Sequence, residues 1–222
     1  MRQPIASFAL VACIALPFPA LHAQANETVL RKNDPLLRKV DDHYNHLVSL
    51  RARYTERYTG MGQDRTETGT LTLRKPGRMR WAYDSPHGKL FLLDGKSAIF
   101  YTPGDPQAQR LPAKQLDDLR SPLRFLLGHT ELSKELDHLT IATVQDGYTL
   151  SGIPRGMQGR LRTLALTVDR NGVIQAMRLE EVDGAATTFL FTDMRENIPT
   201  READFTFTPP PGVSILTAAA PI

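Results

Sequence analysis

The residue types able to do chemistry are few in this sequence, and their spacing is poor for it. His43 and His46 lie three apart beside Asp41 and Asp42. On a helix that spacing lets two imidazoles share a metal. No third ligand accompanies them, and Tyr44 and Leu47 already account for the apolar face of the same segment, so an exposed polar face is the expected role and no metal is expected. Cys13 is the only cysteine, and it falls within an apolar run at the start of the chain. No G-x-S-x-G elbow is present. The carboxylate pairs Asp117/Asp118 and Glu180/Glu181 are adjacent, so their side chains diverge and cannot form a dyad. The glycines between Gly152 and Gly159 follow neither a Rossmann nor a Walker pattern. These residues point away from catalysis, and neither an enzyme nor a cofactor is expected.

The apolar residues have to be positioned instead. The chain has 222 residues, 41% of them hydrophobic and 23% charged. That composition suits one globular domain. A net charge of +3 with both signs interspersed gives no nucleic-acid footprint, and Arg51, Arg53 and Arg57 alternate as a solvated strand face would. Arg2, the apolar stretch Ile5 to Phe18 and the small residues Ala23-Gln24-Ala25 form a signal-peptide pattern, with cleavage expected before Asn26 and cleavage after Ala23 as the alternative. Leu10-Val11-Ala12-Cys13 also reads as a lipobox, but its apolar run is short and continues past the cysteine. The exported chain is expected to be soluble, with residues 26–216 as one domain and 217–222 as a flexible tail.

Asp34 and Pro35 predict a helix start. Leu37, Val40, Tyr44 and Leu47 then share one face up to about Ser49. From Leu50 the period becomes two. Strands are expected at Leu50 to Tyr58, Thr70 to Leu73, Met79 to Tyr83, Leu90 to Leu93 and Ile99 to Tyr101. Turns fall at Gly60-Met61-Gly62, Lys75-Pro76-Gly77 and Asp94-Gly95-Lys96. Pro112 to Leu119, Pro122 to Leu127 and Glu131 to Leu139 read as helical. Further strands follow between Ile141 and Phe207, Pro209 to Gly212 ends the core, and the residues after Leu216 read as a frayed end. The fold class is α+β, dominated by a large antiparallel sheet or barrel. Met79, Trp81, Tyr83, Leu90, Leu92 and Phe100 supply an apolar lining, with Phe125, Leu126 and Leu127 as a cover. Periodicity does not decide whether that interior is filled or hollow.

Several runs resemble one family. Gly69-Thr70-Leu71-Thr72-Leu73-Arg74-Lys75-Pro76-Gly77-Arg78-Met79-Arg80-Trp81 is similar to the signature hairpin of LolA, the outer-membrane lipoprotein carrier family. Asp94-Gly95-Lys96 with Tyr101-x-Pro103, Pro122-Leu123-x-Phe125-Leu126-Leu127-Gly128, Val168-Asp169-x-x-Gly172-x-Ile174 and Phe205-Thr206-Phe207-Thr208-Pro209-Pro210-x-Gly212-Val213 follow in family order. The resemblance implies a half-open antiparallel β-barrel, a strongly curved sheet with a helical lid over its concave face. It also implies a monomeric periplasmic carrier that takes lipoprotein acyl chains from an inner-membrane lipoprotein-releasing ABC transporter to an outer-membrane lipoprotein receptor, with no cofactor. The lid residues implied are Leu116, Leu119, Phe125 and Leu126. Lys75 stands where the family has an arginine that latches the lid, and keeps the charge without the planar fork of donors. Met79 stands where an aromatic is common. The alternatives are a LolB-like receptor anchored through Cys13, and a divergent relative that binds another lipid or a signalling partner.

Overall fold

A computed structural model describes residues 28–29, 34–112 and 131–217. The predicted signal peptide, the predicted lid residues Leu116, Leu119, Phe125 and Leu126, and positions 218–222 of the predicted tail lie outside the described residues. Helix α1 spans Pro35–His46. Its start is fixed as the Asp34-Pro35 pair predicts: the Asp34 carboxylate accepts from the Leu36 amide at 2.9 Å. Leu36, Leu37, Val40 and Tyr44 are its buried residues, each contributing about 1.5–3 kcal/mol where it is apolar and fully covered.

Thirteen strands are described, all in one sheet. They are β1 (Thr28–Val29), β2 (Ser49–Gly60), β3 (Gln63–Arg74), β4 (Arg78–Tyr83), β5 (Leu90–Asp94), β6 (Ser97–Tyr101), β7 (Gln107–Pro112), β8 (Leu136–Val144), β9 (Gly147–Pro154), β10 (Leu161–Asp169), β11 (Ile174–Glu181), β12 (Ala186–Glu196) and β13 (Ser214–Thr217). The order is β1-β8-β9-β10-β11-β12-β2-β3-β4-β5-β6-β7-β13. Pairing is antiparallel except between β13 and β7. The ends, β1 and β13, do not pair with each other, so the sheet is unclosed. Tight turns set the register. Met61 (φ 50°) and Gly62 (φ 73°) occupy the two-residue loop that joins β2 to β3, where both positions need a left-handed backbone.

The main core covers one face of the sheet. It joins α1 to Leu50, Leu71, Leu73, Trp81, Leu150, Leu164, Leu166 and Met177. A second cluster, Leu90, Leu92, Ile99, Tyr101 and Ala108 with Phe205, is separate.

Three predicted elements are corrected. Glu131 to Leu139 is not one helix: a single turn, α2 (Leu132–Glu135), leads directly into β8. The β-branched run Thr140, Ile141, Thr143 and Val144 favours extension, and a register shift at Asp137/Thr140 absorbs the change of direction. The predicted strand at Phe205 to Phe207 begins instead as a 3-10 turn, Glu202–Phe205, with the Asp204 carboxylate accepting from the Arg201 amide at 2.8 Å. Arg74 and Arg78 both hold Glu202, and the Arg74 guanidinium lies 5.1 Å from the Phe205 ring centre. Pro209 to Gly212 does not end the ordered chain either. Gly212 (φ 82°) turns it into β13, and Thr217, read as the first residue of the tail, pairs with Arg110.

Candidate functional site

Period-two alternation puts Met79, Trp81 and Tyr83 of β4 on the face that carries the main core. Trp81 is 4% exposed and is braced by other rings. Its centre lies 4.6 Å from Tyr54, edge to face, and 5.2 Å from Phe189. Its Nε1 donates to the Met79 Sδ at 2.9 Å. Tyr83 meets Tyr54 edge to face at 5.7 Å, and Phe91 packs on Phe100 at 4.7 Å. These geometries are the ones aromatic quadrupoles favour.

Beside these rings is a cavity of about 370 Å³. Trp81, Tyr83, Phe91, Phe100 and Phe189 form an aromatic wall. Met157, Leu161, Met177 and Leu179 form an aliphatic one. The aromatic wall comes from β4, β5, β6 and β12, and the aliphatic one from β10, β11 and Met157 in the loop before β10; β10 and β6 stand seven positions apart in the sheet order. One cavity touches both because the sheet is curved, and the cavity lies on its concave side.

Of the six residues expected to line a pocket, Trp81, Tyr83, Leu90 and Phe100 do so, whereas Met79 and Leu92 are not among the lining residues. Met79, 1% exposed, sits in the main core and supports Trp81 from behind. Leu92 pairs with Ile99 and belongs to the second cluster. Phe91 was signalled in the sequence by the Gly95-Lys96 loop: counting outward from it pairs Phe91 with Phe100. Phe189 and Met177 had no such local signal, since they reach the cavity only through the order of the strands.

Charge enters the cavity at four lining residues, Glu56, Lys89, Arg160 and Glu181. Lys89 ion-pairs with Glu67, and its Nζ is 4.1 Å from the Tyr83 ring centre. Burial pushes the Glu56 carboxyl above its ordinary value, and the neighbouring Glu67 charge adds to this. Glu56 and Glu67 are direct cross-strand partners. Burial likewise raises the Tyr54 and Tyr83 hydroxyls. The Tyr54 hydroxyl is buried with no hydrogen-bond partner.

Lys75, the expected lid latch, donates through Nζ to the Tyr44 carbonyl, one of the carbonyls left open at the end of α1. Burial lowers its pKa. Its backbone amide donates to the Val48 carbonyl at 2.8 Å, so the β3–β4 turn grips the end of α1. On the far side of that helix the Tyr44 hydroxyl accepts from the Ile174 amide at 2.9 Å. His43 and His46 do not converge. His43 Nε2 meets Glu196 at 2.9 Å and His46 Nδ1 meets the Asp42 carbonyl at 2.7 Å. Among the described residues no group of three or more His, Cys, Asp or Glu is arranged to hold a metal.

The geometry is that of a curved, unclosed sheet, antiparallel except at β13, with an aromatic cavity on its concave face. The chain belongs to the LolA family: the family model described as outer membrane lipoprotein carrier protein LolA matches residues 46–208. It is 28% identical over 210 residues to the outer-membrane lipoprotein carrier protein of Pseudomonas paraeruginosa, which covers 93% of this chain and 95% of that one. It is 27% identical over 155 residues to the protein of the same name from Nitrosomonas europaea, 68% of this chain and 73% of the relative. Among solved structures it is similar in fold to an uncharacterized conserved protein from Thermus thermophilus, with TM-score 0.54, 11% identity, and coverage of 82% of this chain and 97% of the other.

Proposed function

We propose that this protein is a periplasmic carrier that shields the acyl chains of lipoproteins from water between the inner and outer membranes. The observation that carries the reading is the aromatic and aliphatic cavity on the concave face, with Trp81 at its floor. The names of the relatives that match most of the chain support the cargo class. Each methylene moved from water into such a cavity contributes about 0.8 kcal/mol. Eight of them therefore contribute about 6 kcal/mol, enough to hold a chain yet release it to a stronger acceptor. Leu116, Leu119, Phe125 and Leu126 form the movable cover in this reading, with Lys75 as its latch. Chains enter from an inner-membrane lipoprotein-releasing transporter and leave to an outer-membrane receptor. The carrier needs no catalytic group, metal or cofactor and works as a monomer. Among the described residues no helix is long and apolar enough to cross a membrane.

The test is displacement of a hydrophobic fluorophore by a diacylated lipopeptide. Trp81→Asp is expected to weaken binding at least tenfold, since it places a charge at the apolar floor, while His43→Ala leaves it unchanged. Equal effects of the two, or none, would remove Trp81 from the site. Mass spectrometry of the mature N-terminus provides a second arm. A chain beginning at residue 24 or 26 supports the free carrier, whereas an acylated Cys13 overturns it in favour of an anchored receptor.

A further inference from the structure

Glu56 is out of place in an acyl-chain cavity. It shares the concave face with Tyr54 on β2 and lines the cavity beside Tyr83 and Trp81. A carboxylate removed from water needs a cation or several donors to offset its lost hydration. Two cations are close, yet both are committed to its neighbour: Lys89 ion-pairs with Glu67, and Arg65 Nε lies 3.5 Å from the same carboxylate. The ion pairs thus fall on Glu67, which does not line the cavity, and leave Glu56, which does, with a single long hydrogen bond from the Tyr83 hydroxyl at 3.4 Å. The rings of Tyr83, Trp81 and Phe189 are part of the same wall. Aromatic faces beside a free carboxylate are the standard chemistry for binding an organic ammonium.

We infer that Glu56 and the adjacent aromatic wall form a subsite for a primary ammonium group carried at the head of the acyl ligand, so that the cavity selects amine-bearing amphiphiles over neutral or anionic ones. The inference rests on the carrier reading and adds the ligand's charge to it. Lys89 is not free to fill the subsite, being held by Glu67 below and the Tyr83 ring beside it. Arg160 and Glu181, the remaining charged lining residues, both lie at the Leu161–Glu181 strand pairing, away from the β2–β4 wall. Neither is a cross-strand partner of Glu56. An ammonium on Glu56 forms a charge-assisted hydrogen bond, worth at least about tenfold in affinity.

The experiment measures displacement of a hydrophobic fluorophore from the mature full-length protein by dodecylamine, dodecanol and dodecanoate, each below its micelle concentration. The amine is expected to bind about tenfold more tightly than the alcohol, and dodecanoate no better than the alcohol. Glu56→Gln should remove the amine preference, and a cooperative urea transition shows that the variant is folded. Asp64→Asn, the same charge change at an exposed residue outside the cavity, should keep the preference. Equal binding of all three chains by the unmodified protein overturns the subsite while leaving the carrier reading intact, and failure of all three to bind overturns the carrier reading itself. A preference for dodecanoate, or a preference that survives Glu56→Gln, also overturns the subsite. The source of the ammonium is then read from two pairs. A diacylated lipopeptide with a free α-amine outcompeting its N-acylated form assigns the head group to lipopeptides. Lysophosphatidylethanolamine outcompeting lysophosphatidylglycerol assigns it to phospholipids.

Discussion

Removing one oxygen atom is expected to stabilise this protein. Tyr54 is 2% exposed, and its hydroxyl is buried with no hydrogen-bond partner. The ring is held from two sides by Trp81 and Tyr83. The hydroxyl reaches the backbone of β3 at Gly69, where a Cβ would stand 2.4 Å from it. A buried hydroxyl that has lost water without gaining a partner costs about 1–3 kcal/mol. Tyr54→Phe keeps the ring and both edge-to-face contacts and deletes only that cost. A small residual void lowers the gain, so we expect a net stabilisation of about 1–2 kcal/mol. For a domain of this length that raises Tm by about 3–6 °C. Calorimetry of the two proteins in one buffer, with urea unfolding to check that the slope is unchanged, is the assay. A Tm equal to or below that of the unmodified protein would show that the hydroxyl has a partner in solution, and the reasoning would fail.

The remaining expectations concern the same wall and its supports. Gly69→Ala puts a Cβ 2.3 Å from the Ala82 carbonyl and 2.4 Å from the Tyr54 hydroxyl; since the backbone oxygen cannot step aside, a loss of about 2–3 kcal/mol is expected by chemical denaturation, and a loss below 0.5 kcal/mol would show that β3 and β4 separate easily. Lys75→Met removes the donor on the Tyr44 carbonyl and should speed amide exchange in the last turn of α1 while β9 and β10 are unaffected; uniform exchange across these elements would deny the local grip. Glu56 sets a pH dependence. Its folded pKa is raised, first by burial and then by Glu67, so its contribution to stability is fully present below the unfolded value of about 4.3 and is lost as pH rises through the raised folded value. Urea midpoints across that window should fall more steeply for the unmodified protein than for Glu56→Gln, and parallel curves would contradict the shift.

Local chemistry made much of this fold legible. Asp34 and Pro35 announced the start of α1, and Leu37, Val40 and Tyr44 announced its buried face. Gly62 and Gly95 marked loops whose registers follow by counting. Glu56 was passed over, although it is the one carboxylate in the even-numbered series Leu50, Ala52, Tyr54 and Tyr58. What the sequence hides is non-local. Pairing of β12 with β2 carries Phe189 and Phe191 to Trp81, and no periodicity encodes which strands become neighbours. The α2–β8 boundary was misjudged because Leu132, Leu136 and Leu139 satisfy a helical stripe while Leu136 and Leu139 are also buried strand residues. A register shift at His138 (φ 53°) reconciles their spacing with extended backbone.

One face of one sheet is thus packed in one region and hollow in another, and residue type accounts for the difference. Under α1, Leu37, Val40, Leu71 and Leu164 are almost fully buried, because branched aliphatic chains interdigitate to crystal-like density. Elsewhere on the same sheet, on β4, β5 and β12, the side chains become Trp81, Tyr83, Phe91 and Phe189. Rings are rigid, and here they brace one another, Tyr54 edge to face with Trp81 and Tyr83 and Phe189 tilted against Trp81, so the wall stands without filling the space in front of it. Closing that space would press the Leu179 side of the sheet onto Glu56 and Lys89 and strip both of their remaining water, a cost that grows as the gap narrows. The charged residues that look misplaced in an apolar cavity therefore oppose its collapse, and the cavity can remain open without a ligand to prop it.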